Sequence, residues 1–227
     1  MKKKIISFLV FSCLGLILLQ IPFTDIIGSN QKYSFFDFIA PAIGAFLTSI
    51  WGAISVITIK IINALATGQT FDTTTIIRLF PLALAALYFG TKKFKILVAI
   101  LPLICLVLFV LHPEGRQAWY YSLYWLIPIA SVFAKRSLVL NSLGATFTAH
   151  ALGSVAFLYA FNLPAEVWTA LIPVVFLERM MFTGGTVVSY VFLNSLINLT
   201  ARIPGFSFLE RFVSPDHTLS KKLLVNL

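Results

Sequence analysis

Charged residues are scarce in this chain. Asp, Glu, Lys and Arg make up 11% of its 227 residues, whereas 59% are hydrophobic. Soluble globular domains carry about 25% charged residues, so this composition excludes an ordinary soluble fold. Several apolar runs reach or exceed the ~20 residues that span a bilayer as a helix. The sequence therefore predicts an all-α polytopic membrane protein.

Cysteine is also rare, and enzyme motifs are missing. Cys13 and Cys105 both lie in apolar runs, and their spacing matches no disulfide framework or zinc site. The sequence contains no HExxH, no GxSxG, no helical carboxylate pair and no phosphate loop. We therefore predict that the protein is not an enzyme and uses no cofactor or metal. If it transports, an ion gradient or a partner ATPase must drive it.

The basic residues are clustered. They lie at Lys2, Lys3 and Lys4, at Lys92, Lys93 and Lys95, at Lys135 and Arg136, and in the tail at Arg202, Arg211, Lys221 and Lys222. Cytoplasmic loops hold such clusters, and anionic lipid attracts them. We interpret the formal charge of +9 in this way and not as a nucleic-acid footprint. Both termini are then in the cytoplasm of a plasma-membrane protein.

The apolar runs do not fit this rule if each crosses once. They are 5–23, 35–65, 76–90, 96–111, 118–134, 138–161 and 166–199. Seven crossings leave some basic clusters outside in either orientation. The run 35–65 contains Gly44 and Gly52, and a hairpin of two short segments, 35–47 and 50–65, puts every cluster inside. We predict a helical bundle of seven apolar runs and eight segments; a re-entrant hairpin or one tilted helix are the alternatives.

Two regions follow from this segmentation. Residues 1–199 are predicted to form a transmembrane helical domain. Residues 200–227 carry Pro204, Gly205 and Pro215 with mixed charge. We predict a cytoplasmic tail there.

Ionisable residues within apolar runs are the candidate site. Glu178 and Arg179 lie about twelve residues into the run 166–199, roughly 18 Å below the outer surface. Charges at that depth are costly and usually functional. Neighbouring helical residues point about 100° apart, so we expect each to have another partner, a cavity or a ligand; a structural pair is the alternative. His150 of the adjacent run 138–161 has a similar depth, and we expect it to contact Glu178 unless it is a packing residue.

Other residues have two interpretations each. Ala145, Ala149 and Gly153 recur every four residues and form a small-residue face, which docks either within the fold or on a partner protein. Asp37 and Arg78 are interpreted as helix-end residues, with a pocket role as the alternative. An aromatic cluster is interpreted as an interfacial belt or as a ring-stacking ligand wall. It comprises Trp119, Tyr120, Tyr121, Tyr124 and Trp125.

Part of the chain resembles a transporter family. The stretch 33–65, YSFFDFIAPAIGAFLTSIWGAISVITIKIINAL, is similar to the second and third helices of the substrate-binding S components of energy-coupling factor vitamin transporters. The residues that carry the likeness are Asp37, Pro41, Gly44, Trp51 and Gly52. The stretch 76–95 looks like the family's fourth helix with its basic cytoplasmic end. The resemblance covers residues 1–111.

Two features depart from the family pattern. S components usually have six helices, against the eight segments predicted here. Their first helix carries an Ala-xxx-Ala face for the coupling subunit, whereas this one offers only Ser12 and Gly15. Docking to a standard coupling subunit would then fall to another face, such as that of Ala145, Ala149 and Gly153.

The resemblance implies capture of a small vitamin or metabolite from outside, in a complex with a transmembrane coupling subunit and ATPases. It also implies that the loop 66–75 covers the pocket. The family's ligand residues do not map onto this chain, so the predicted substrate-binding residues are His150, Glu178 and Arg179, with Arg179 able to pair an anionic group. The alternatives are a membrane scaffold of the rod-shape-determining type, or an intramembrane enzyme using Glu178 and His150 as acid and base.

Overall fold

The computed structural model describes residues 2–25, 32–91, 94–133 and 137–218. Within these residues the chain is almost entirely helical. The elements are α1 (Lys2–Leu19), β1 (Pro22–Asp25), β2 (Lys32–Ser34), α2 (Phe35–Leu47), α3 (Ser49–Ala66), α4 (Thr73–Gly90), α5 (Lys95–Leu111), α6 (Pro113–Gln117), a 3₁₀ helix (Trp119–Trp125), α7 (Leu126–Phe133), α8 (Leu138–Phe161), α9 (Ala165–Ala201) and two 3₁₀ turns (Ser207–Phe212 and Pro215–His217).

Four of these helices are long and apolar enough to cross a membrane: α3, α4, α8 and α9. Helices α2 and α5 and residues 6–19 of α1 are apolar but shorter. Helix α9 has 37 residues, which at 1.5 Å per residue makes it about 55 Å long. These lengths and compositions agree with the predicted helical membrane class.

The long apolar run 35–65 is broken at Thr48. This residue joins α2 to α3 with φ 75° and ψ 149°, a positive φ that a β-branched residue rarely adopts. The two helices then pack closely, because a Cβ built on Gly52 would lie only 2.8 Å from the backbone nitrogen of Gly44. The prediction of two short segments is confirmed. The alternative of one tilted helix is wrong.

A short two-stranded hairpin accompanies the helices. Strands β1 and β2 pair antiparallel, with Thr24 opposite Tyr33. Since the segment is polar and only a few residues long, its sequence gives no hydrophobic pattern that would have indicated strands. The hairpin matters because it places Tyr33 beside α9.

The helix ends gather at two opposite cavities. The cavity on the hairpin side is lined by residues from β2, the α3–α4 loop and the α8–α9 loop, among them Tyr33, Gln69 and Leu163. The cavity on the tail side is lined by residues from the α2–α3 turn, both ends of the α4–α5 connection, the start of α8 and the tail. These include Thr48, Thr91, Lys95, Ser137 and Arg211. We call them the hairpin-side and the tail-side cavity.

This arrangement bears on the basic clusters. Thr91 and Ser137, which adjoin two of the clusters, and Arg211, which belongs to a third, all line the tail-side cavity. Lys92, Lys93, Lys135, Arg136, Lys221 and Lys222 lie outside the described residues. The segments that flank the clusters therefore share one end of the bundle, as the hairpin prediction requires.

The small-residue face of α8 packs inside the chain. Ala145 is fully buried and Ala149 is 5% exposed, and both belong to one buried cluster with Ala86 of α4. A Cβ built on Gly153 would lie 3.7 Å from Cγ of Pro81, also in α4. The assignment of this face to partner docking is corrected, because the chain's own α4 covers it.

The start of the predicted tail returns to the bundle. Asn194 of α9 is fully buried. Its Nδ2 donates to the carbonyl oxygens of Ser214 at 2.8 Å and His217 at 2.9 Å, and the Ser214 nitrogen donates to its Oδ1 at 2.8 Å. A buried amide that is paired in this way holds the segment against α9.

Candidate solute-binding site

The hairpin-side cavity brings the three predicted site residues together. It has a volume of about 840 Å³, and His150, Glu178 and Arg179 all line it. Small-molecule sites typically occupy ~300–1,000 Å³. The cavity lies between β2, α2, α3, α4, α8 and α9, so residues far apart in sequence meet there.

Glu178 and Arg179 form an ion pair that Tyr33 bridges. Nη2 of Arg179 lies 3.3 Å from Oε2 of Glu178 and donates to the Tyr33 hydroxyl at 3.4 Å. The hydroxyl donates in turn to Oε2 of Glu178 at 3.3 Å. As expected, each has another partner, Tyr33, and lines a cavity, but the two also pair with each other. Both side chains are long enough to bend towards the same point although their Cβ atoms diverge.

Arg179 is buried against an aromatic ring. The residue is 9% exposed, and its guanidinium carbon lies 4.7 Å from the ring centroid of Phe182, within cation–π range. Its Nε is buried and has no hydrogen-bond partner among the described residues. The guanidinium therefore pairs with Glu178 through Nη2, while its neighbouring Nε–H donor has no partner among the described residues.

Tyr33 stays a protonated hydroxyl in this arrangement. Burial raises the pKa of Tyr33 above its ordinary value, so the phenol keeps its proton at neutral pH. A protonated hydroxyl is able to accept from Arg179 and donate to Glu178 at once. No sequence pattern pointed to Tyr33, which is 145 residues from Glu178 along the chain.

His150 is held in one tautomer by two aromatic residues. Nε1 of Trp125 donates to Nδ1 of His150 at 3.0 Å, and an indole N–H is only a donor. Nδ1 must therefore accept, which puts the proton of the neutral ring on Nε2. That nitrogen lies 2.8 Å from the Tyr121 hydroxyl and 3.3 Å from Oγ of Ser154.

The aromatic cluster is thus divided between two roles. Tyr121 and Trp125 are buried and contact His150, whereas Trp119 and Tyr120 are 53% and 40% exposed. Tyr121 lines the cavity, whereas Trp125 contacts His150 without lining the cavity itself. The belt interpretation fits only the exposed pair.

The expected contact between His150 and Glu178 is not formed. Both residues line the cavity, but the hydrogen bonds of His150 go to Tyr121, Trp125 and Ser154. Those of Glu178 go to Tyr33 and Arg179. The same site therefore contains two separate polar groups of residues.

Lys60 was missed as a site residue, and Arg78 has the pocket position that was its alternative interpretation. Lys60 and Arg78 line the cavity, and the Lys60 ammonium donates to the carbonyl oxygen of Arg78 at 2.7 Å. Nη1 of Arg78 is buried without a partner among the described residues. Lys60 sits inside an apolar run, which is the signal that identified Glu178 and Arg179.

Asp37 serves both of its predicted roles. Its carboxylate accepts from the backbone nitrogen of Ser34 at 2.6 Å and from the Ser34 hydroxyl at 3.0 Å, which caps α2. It also lines the cavity. Among the described residues, no group of three His, Cys, Asp or Glu side chains is placed to hold a metal ion.

Comparisons with protein-family models, with curated proteins and with solved structures find no match to this chain. The resemblance to S components therefore stays a prediction.

Proposed function

We propose that this protein is a membrane-embedded binding protein for a small solute, the S-component-like subunit of an uptake transporter powered by partner ATPases. One observation carries the proposal: a cavity of about 840 Å³ with charged walls lies within a bundle of otherwise apolar helices. Ionisable groups at such positions are costly in a membrane and mark substrate or ion sites.

The loops around the cavity support capture from one side. Gln69 of the α3–α4 connection and Thr75 in the first turn of α4 line it, as do Lys32 and Tyr33 of the hairpin. The resemblance implied that the loop 66–75 covers the pocket, and its position here agrees with that role. A site covered by loops at one end of a bundle suits a protein that admits solute from that end.

The proposal includes an orientation. The bundle has eight membrane segments, with both termini and the tail-side cavity in the cytoplasm of a plasma-membrane protein. The positive-inside rule supports this orientation, because the described neighbours of the basic clusters lie at the tail side.

Cysteine labelling tests the orientation. In a background with Cys13 and Cys105 replaced by Ala, we expect an impermeant thiol reagent to label Thr24→Cys and Gln69→Cys on intact cells. Phe94→Cys, at a position 65% exposed across α4 from Gln69, should react only after permeabilisation. Outside labelling of Phe94→Cys, or protection of either of the others, would contradict the eight-segment arrangement.

Thermal unfolding tests solute binding. A ligand that binds only the folded state stabilises it, by about 2.7 kcal/mol at a hundredfold excess over Kd. We expect a small-molecule extract of the cells and medium from which the protein comes to raise the Tm of the purified protein. Arg179→Ala should abolish this shift, whereas Arg116→Ala, on the exposed side of α6, should keep it.

The same variants separate the alternatives. A scaffold would show no stabilisation by any extract and would tolerate Arg179→Ala and Glu178→Gln in its cellular role. An enzyme would still bind its substrate in the Glu178→Gln variant but lose turnover. Purification from the native membrane in mild detergent adds a further test, because ATPase subunits should accompany a transporter subunit.

A further inference from the structure

We infer that the solute is a small organic anion whose acidic group binds near Tyr33, between Arg78 and Arg179. The inference rests on the proposed function and assigns the substrate class of the same site.

The charge of the cavity favours an anion. Among the described residues, four basic side chains line it, against two carboxylates. They are Lys32, Lys60, Arg78 and Arg179, against Asp37 and Glu178. Both carboxylates are already engaged, Asp37 by the Ser34 nitrogen and hydroxyl and Glu178 by Arg179 and Tyr33. Lys32 has a further interaction, but without it three basic side chains still face two carboxylates. The cavity therefore keeps an excess of positive charge, which a neutral or cationic solute would not offset.

Unpaired donors show where the acidic group binds. Nε of Arg179 and Nη1 of Arg78 are both buried without a hydrogen-bond partner among the described residues. A buried donor without a partner is destabilising, because it has lost its hydrogen bonds to water. Both arginines line the same cavity as Tyr33, and Arg179 donates to the Tyr33 hydroxyl. The planar guanidinium of arginine donates two parallel hydrogen bonds to two oxygens of a carboxylate or phosphate.

The remaining walls define the rest of the solute. Apolar side chains also line the cavity, among them Phe36, Phe157, Trp168, Leu171 and Val175. Such walls bury an apolar or aromatic body by the hydrophobic effect. A charged end and an apolar body together describe an organic acid or an organic phosphate and exclude a bare inorganic ion.

Fractionated extract tests this inference. The small-molecule extract is passed over an anion-exchange resin, and the retained and unretained fractions are each added to the purified full-length protein. We expect the retained fraction alone to raise the Tm. Its midpoint concentration should rise roughly tenfold or more in Arg78→Gln and in Arg179→Gln, as loss of a charge-assisted hydrogen bond requires. Arg116→Gln should leave it unchanged.

Each outcome bears on one proposal. Stabilisation by the unretained fraction alone overturns the anion while supporting solute binding, and stabilisation by neither fraction overturns both. If Arg179→Gln does not fold, Arg78→Gln decides, since Arg78 forms no ion pair among the described residues; an unchanged midpoint in that variant contradicts the inference. Phosphatase treatment of the retained fraction then identifies the group: lost activity indicates a phosphate, and surviving activity a carboxylate.

Discussion

The Gly44→Ala variant should lose about 3 kcal/mol of folding free energy, the upper part of the range for overpacking a core. Three helices meet at this residue without room for a methyl group. A Cβ on Gly44 would collide with the carbonyl oxygen of Ala86 in α4, and a Cβ on Gly52 or Gly90 would collide with Gly44 itself. Because the obstructing atoms are backbone, no side-chain rotation relieves the clash.

Thermal unfolding in detergent measures this loss. For a chain of this size, 3 kcal/mol corresponds to a fall in Tm of roughly 6–12 °C. Gly184→Ala is the matched control, because a Cβ at Gly184 of α9 meets nothing within 4 Å. It should be neutral or slightly stabilising, since Ala has the higher helix propensity. Equal Tm values for the two variants would show that α2, α3 and α4 are not in backbone contact.

The sequence predicted this junction only in part. The distribution of basic residues required a hairpin, and Gly44 and Gly52 marked where its arms could approach. Gly90 gave no such signal, because a glycine at the end of an apolar run is typical of a helix C-terminus. Its packing on Gly44 depends on how α4 lies against the hairpin, which no local pattern encodes.

The sequence predicted those site residues whose burial in a membrane is energetically costly. Glu178 and Arg179 stand out because ionised groups are rare deep in apolar runs. Arg78 was interpreted as a helix-end residue because it lies near the start of its run, although its Nη1 is buried. Tyr33 lies in a polar loop, where a tyrosine is unremarkable in sequence. Only the tertiary fold brings it to Glu178.

The burial of individual residues in the aromatic cluster could not be predicted from the sequence. Trp119–Trp125 forms a 3₁₀ helix, in which side chains repeat every three residues instead of every 3.6. A membrane helix pattern therefore gave no means of telling the buried Tyr121 and Trp125 from their exposed neighbours. Trp125, whose indole N–H fixes the tautomer of His150, was noted in the sequence as part of the aromatic cluster, but its contact with His150 was not predicted.

The second large effect is expected for Glu178→Gln in the protein without solute. Removing one member of a buried ion pair typically costs 3–5 kcal/mol, because the other charge stays buried. The Arg179 and Glu178 side chains are 11% and 17% exposed, so we expect about 3 kcal/mol, the lower end of that range. Lys60 and Arg78 line the same cavity and add to the repulsion that Glu178 now offsets.

The measurement compares Glu178→Gln with Glu166→Gln, an exposed residue in the first turn of the same helix. The control should change the unfolding free energy by no more than about 0.5 kcal/mol.

The same Glu178→Gln substitution should strengthen anion binding although it lowers stability. Glu178 competes with an acidic solute for Arg179, so its neutralisation should strengthen binding of the anion-exchange-retained fraction while it weakens the empty protein. Arg179→Gln should weaken both. A Glu178→Gln variant as stable as the parent would show that the ion pair is solvated and not buried.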